Sequence, residues 1–178
     1  MPDHQRVLDL LEKGRDEEVA ITGMGRRPLT YRDLQRQIEK TISQLNQLGV
    51  GRNDPVAIVL PNGPEMAAAF VAIASGATTA PLNPAYREEE FTFYLPDLET
   101  RLLVVEEGSD TPARSVAKRL GIPMAQLKKN ADPAAIDFDL VGDRVKSGPP
   151  LGGVAVSEDV ALVLHTSGTT SRPKIVPL

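Results

Sequence analysis

Val56-Ala57-Ile58-Val59-Leu60 is an unbroken apolar run framed by two turns, Arg52-Asn53-Asp54-Pro55 before it and Pro61-Asn62-Gly63-Pro64 after it. A strand with one face in water alternates apolar and polar residues, so a run without alternation predicts a strand covered on both faces, as in parallel sheets. The same unit then repeats. Glu65 to Ser75 is almost wholly apolar and alanine-rich, which predicts a helix packed closely on the sheet and stopped at Gly76. Thr78 to Leu82 reads as a second strand ended by Asn83-Pro84, and Arg87 to Leu95 as a helix halted at Pro96. Leu102 to Val105 is a third strand, Pro112 to Leu120 a helix closed by Gly121, and Met124 to Leu127 a fourth strand. This alternation predicts an α/β fold, a mostly parallel sheet flanked by helices with right-handed crossovers.

The flanks follow local rules. Thr30-Tyr31-Arg32-Asp33 reads as a helix start, with Thr30 as N-cap and Asp33 reaching back in an acidic capping box. Leu34, Ile38, Ile42, Leu45 and Leu48 then recur at helical spacing, and Gly49 can end the helix in a left-handed conformation. Residues 128–153 are rich in Asp, Gly and Pro and read as an irregular connection, with Asp137 to Val141 as an edge strand and Gly148 to Gly153 as a loop. A last strand, Val160 to Leu164, leads into a loop and a short apolar tail, so the βα core is expected over about residues 30–178.

Composition removes several classes of function. A chain of 178 residues with 41% hydrophobic residues is long and apolar enough for a globular core. Its 20 basic and 24 acidic residues give a net charge of −4 with no basic block, which argues against nucleic acid as a partner. The longest apolar run, Met66 to Ala74, is far short of the roughly 20 residues that span a bilayer. Met1-Pro2-Asp3-His4-Gln5-Arg6 lacks the basic-then-apolar order of a secretory signal, so a cytoplasmic location is expected. There is no cysteine, and the two histidines, His4 and His165, stand at opposite ends, so no protein-built metal site is expected. Any Mg²⁺ would arrive with nucleotide phosphates.

Chemistry concentrates near the end, in His165-Thr166-Ser167-Gly168-Thr169-Thr170-Ser171-Arg172-Pro173-Lys174. A glycine lets backbone N–H groups approach an anion, hydroxyls add donors, and a lysine adds a mobile positive charge. No acid opposes Arg172 and Lys174 between Thr166 and Leu178, so the run suits polyphosphate. A Walker A loop does not fit. Counted from Gly168, its second glycine falls on Pro173, which has no N–H, and its Ser/Thr falls on Ile175. A solvated Ser/Thr turn between two strands is the plain alternative. For His165 two readings stand: local packing beside a buried strand, or contact with substrate or nucleotide. Arg87-Glu88-Glu89-Glu90 reads as a solvated helix face.

The run resembles the phosphate-binding signature T-S-G-T-T-G-x-P-K-G of the acyl-adenylate-forming enzymes: acyl-CoA synthetases, nonribosomal-peptide adenylation domains and luciferases. It matches at Thr166, Ser167, Gly168, Thr169, Thr170, Pro173 and Lys174, and departs at Ser171 and Ile175, where glycine is usual. Ser171-Arg172 is similar to the branch containing oxalate–CoA ligases. Pro61-Asn62 and Pro81-Leu82-Asn83-Pro84 are also similar to family segments, although ordinary turn chemistry accounts for them.

The resemblance implies the first subdomain of that fold and a two-step ligase. A carboxylic acid is activated with ATP as an acyl-adenylate, and coenzyme A then takes the acyl group. Thr166, Ser167, Gly168, Thr169, Thr170, Ser171 and Lys174 would bind the phosphates, and the catalytic residues are expected downstream. The tail Ile175-Val176-Pro177-Leu178 reads as a return strand without further partners. That predicts a partial N-terminal domain, inactive alone and able to self-associate through an open strand edge. A non-catalytic nucleotide- or phosphate-binding module is the alternative.

Overall fold

The computed structural model describes residues 6–11, 13–146, 150–166 and 173–178. In chain order the elements are α1 (Val7–Leu11), β1 (Val19–Ile21), β2 (Leu29–Thr30), α2 (Tyr31–Gln47), β3 (Pro55–Val59), α3 (Pro64–Ala74) and β4 (Thr78–Pro81). Then come α4 (Glu88–Asp97), β5 (Leu102–Glu106), α5 (Pro112–Leu120), β6 (Met124–Lys129), β7 (Phe138–Gly142), β8 (Val163–Thr166) and β9 (Lys174–Pro177). The main sheet has the order β4-β3-β5-β6-β7. Its first four strands are parallel and β7 closes one edge antiparallel to β6. This is the mostly parallel α/β architecture the apolar runs predict, with the edge strand where Asp137 to Val141 suggested it.

Alternation along the buried strands divides the core into two layers. Val56, Ile58, Leu102 and Val104 face α2 and α3, where Leu34, Ile38, Ile42, Leu45, Ala69 and Ile73 meet them. Ala57, Val59, Leu103 and Val105 face α4 and α5, against Phe91, Leu95, Ala113 and Val116. With both faces covered, the central strands β3 and β5 are apolar at successive positions on either face. Gly76, just beyond the end of α3, permits close approach to α2: a Cβ there would meet Ile42 Cγ1 at 2.7 Å.

Caps follow the sequence with one change of partner. The Thr30 hydroxyl accepts from the Asp33 amide at 3.2 Å, and Gly49 has φ +85° as α2 ends. Asp33 does reach back, but it takes the Thr30 hydroxyl proton at 2.9 Å rather than the backbone N–H.

Pro96 does not halt α4, as expected from sequence, but lies inside it. Its ring sits on the exposed side of the last turn, where only one helical hydrogen bond is lost, while buried Leu95 and Leu98 hold that turn to the core. Glu99 then adopts φ +51° and the Thr100 amide donates to Leu95 O, a Schellman closure without glycine.

One further feature departs from the sequence reading. β1 and β2 form a small antiparallel ribbon ahead of α2. No helix among the described residues is long and apolar enough to cross a membrane.

Candidate functional site

β8 and β9 pair antiparallel, Val163 opposite Pro177 through to Thr166 opposite Lys174, forming a hairpin beside β4. One parallel bridge, Thr79 to Leu162, sets its direction, so β8 runs in the sense of β4 and Thr166, its last residue, lies toward the carboxyl ends of the sheet strands. Ligands of open α/β sheets gather at that end. The approach is held by main-chain carbonyls: the Thr78 hydroxyl donates to Val160 O at 2.7 Å and the Thr79 amide to Ala161 O at 2.9 Å.

The strand itself is not the buried one expected from Val160 to Leu164. Its residues are half-buried or exposed, and Leu164 is 39% exposed. The apolar letters mislead because this segment lies outside the two-faced core.

The two described ends of the candidate loop, Thr166 and Lys174, face each other across the hairpin, with the Thr166 hydroxyl 3.5 Å from Lys174 O. Both are exposed, and no carboxylate pairs with Lys174 among the described residues. The expected donors Ser167, Gly168, Thr169, Thr170 and Ser171 lie outside the described residues.

His165 packs locally, the first of its two readings. Its Nε2 is 2.9 Å from Asp97 Oδ2. A carboxylate only accepts, so Nε2 carries the proton. The ring of Tyr94 meets the imidazole edge-on at 4.6 Å, and Tyr86 stacks on Tyr94 at 5.1 Å. Burial, and then the hydrogen bond to Tyr94, pushes the Tyr86 phenol above its ordinary range. Sequence reasoning missed Asp97, Tyr94 and Tyr86 as partners. They come from α4 and its approach, 68 positions from His165 in the case of Asp97, and no local pattern joins them.

A second tie lies upstream. Asp159 accepts from Arg52 Nε at 2.6 Å, from Asn53 Nδ2 at 2.6 Å and from the Val156 amide at 2.8 Å. The Arg52 guanidinium chiefly, aided by the other two donors, holds this carboxyl below its usual range against the opposing effect of burial. Asn53 also accepts from the Val160 amide at 3.0 Å, and its own backbone is left-handed, with φ +62°. Among the described residues no group of three or more His, Cys, Asp or Glu could hold a metal ion. The Arg87 to Glu90 segment is exposed, with Glu90 accepting from the Arg87 amide at 2.8 Å.

Residues 11–178 match the family described as AMP-binding enzyme. An oxalate–CoA ligase of Arabidopsis thaliana is 38% identical over 97% of this chain and 34% of its own length. A probable CoA ligase of Humulus lupulus is 38% identical over 100% of this chain and 35% of its own. The structure of apo MatB from Rhodopseudomonas palustris superposes with a TM-score of 0.72 at 20% identity, covering 97% of this chain and 34% of that one. The chain therefore spans about a third of the length of the curated relatives it matches.

Proposed function

The chain belongs to the AMP-binding enzymes, and from that premise we propose that residues 1–178 form the N-terminal part of an ATP-dependent acid–CoA ligase, with residues 166–174 gripping the triphosphate. One observation supports the reading: β8 and β9 set Thr166 and Lys174, which has no carboxylate partner among the described residues, opposite each other, with β8 running in the sense of the parallel strands. In the reaction a carboxylate attacks the α-phosphate of ATP, the bond to pyrophosphate breaks, and an acyl-adenylate forms. The thiol of coenzyme A then takes the acyl group and releases AMP.

Such chemistry asks the protein for position and charge neutralisation. Ser167, Gly168, Thr169, Thr170 and Ser171 would donate N–H and O–H bonds to the β- and γ-phosphates, with Thr166 at the loop's root. Lys174 would add a charge-assisted contact where negative charge gathers on the leaving group. Mg²⁺ would enter on the triphosphate and neutralise its charge. The acid is proposed to be oxalate or another short acid, through Ser171-Arg172 and the likeness to an oxalate–CoA ligase.

Calorimetric titration of the chain with Mg·ATP tests the reading. A dissociation constant below about 1 mM that weakens about tenfold or more in Lys174→Ala supports it. Equal binding by both proteins sinks it. In ATP–pyrophosphate exchange with oxalate, residues 1–178 alone are expected to show no turnover.

A further inference from the structure

We infer that His165 is a positioning residue for the nucleotide: its tie to Asp97 fixes the rotation of β8 and thereby aims the loop that begins at Thr166. The inference rests on the reading that residues 166–174 bind ATP phosphates.

Successive residues of a strand point to opposite faces. His165 turns toward α4, where its side chain is only 9% exposed and donates to Asp97 Oδ2 at 2.9 Å. Thr166, the next residue, is exposed on the other side of the strand. Whatever holds the imidazole in place therefore fixes the direction in which the first loop hydroxyl leaves the sheet.

Little else at this level does so. The parallel bridge to β4 lies at Leu162, before the hairpin proper, and the other polar ties to the body of the protein, at Arg52, Asn53, Ser75, Thr78 and Thr79, act on residues 155–161. Leu164 and, across the hairpin, Ile175 are 39% and 41% exposed, so apolar attachment on this face falls to Val163, which packs partly buried on the α4 and α5 layer two residues before His165. The His165–Asp97 bond and the edge of Tyr94, itself backed by Tyr86, are thus the described contacts that grip the hairpin next to its loop. An imidazole suits the task because it offers a donor for α4 and a flat edge for Tyr94 at once.

Calorimetry of the whole chain with Mg·ATP, beside urea unfolding, tests this with Lys174→Ala as the reference. His165→Leu keeps bulk but removes the donor and is expected to weaken Mg·ATP binding about tenfold. His165→Gln can still donate to Asp97 and is expected to recover affinity to within about threefold of wild type. Asp97→Ala should weaken binding about as much as His165→Leu, and the double variant no more than either alone, since one bond is removed.

If Lys174→Ala weakens binding while folded His165→Leu binds like wild type, the positioning role is overturned and the proposed function stands. Additive losses in the double variant overturn it too. Should His165→Leu fail to fold, Asp97→Ala decides: that carboxylate is 37% exposed, and wild-type affinity in its absence refutes the tie. No effect of Lys174→Ala removes the loop reading and this one with it.

Discussion

The parallel strands β3 and β5 and the β8–β9 hairpin are built from similar letters but held in opposite ways. Val56, Ala57, Ile58, Leu102, Leu103, Val104 and Val105 are all 0% exposed, sealed by helices on both faces. In and beside the hairpin Leu164, Ile175 and Leu178 are 39%, 41% and 63% exposed, and attachment combines the partial burial of Val163 with separate polar contacts at Val160, Ala161, Asp159 and His165. Non-directional burial makes a scaffold that is hard to deform. A few discrete bonds set the direction of the hairpin instead, as the proposed phosphate-binding role would require.

The widest separation between the two regions is expected in unfolding. Phe91 is 0% exposed and packs edge-to-face on Tyr86, and Phe91→Ala should lower stability by about 3–5 kcal/mol, read as a fall in urea midpoint. A hairpin released without loss of the core would break the comparison in the other direction. Asp159→Ala provides that test: hydrogen exchange of the β8 and β9 amides should quicken about tenfold while β3 and β5 exchange unchanged. Global loosening would mean that the hairpin is not a separate unit.

Acid sharpens the same contrast. Asp159 has a folded value held below its unfolded one by Arg52, so its contribution is complete above about pH 4, the unfolded carboxylate value, and is lost as pH falls through the folded value. Hairpin protection should fade below about pH 4, with no matching change between neutral and mildly alkaline pH. The smallest effect is expected on the exposed start of α4, where Glu89→Gln should shift stability by no more than about 0.5 kcal/mol in the same urea assay.

How much of this was legible in the sequence depends on the range of the interaction. The strand–helix alternation, the Thr30 cap and the left-handed Gly49 are decided within a few residues, and each stands where expected. Pro96 broke the rule because burial of Leu95 and Leu98, a tertiary effect, outweighs one missing hydrogen bond. The β1–β2 ribbon escaped notice because strands of three and two residues carry no period. Val160 to Leu164 looked like core because apolarity alone does not reveal whether a second layer of helix covers the strand. In the candidate site the run from Thr166 to Lys174 was readable as a motif, and its two described ends, Thr166 and Lys174, stand opposite each other on β8 and β9. Asp97 as the partner of His165, and Asn53 with Arg52 as partners of Asp159, were beyond sequence reasoning since each pairing spans a long stretch of chain.

Asn53 has one consequence of its own. Its main chain makes the turn into β3, while its side-chain amide clasps Asp159 and Val160 on the way to the hairpin. The molecule consequently has an order of dismantling. The outer arm can swing away with the inner sheet undisturbed, but the inner sheet cannot come apart without dropping the arm, because the clasp is mounted on the sheet's own doorway.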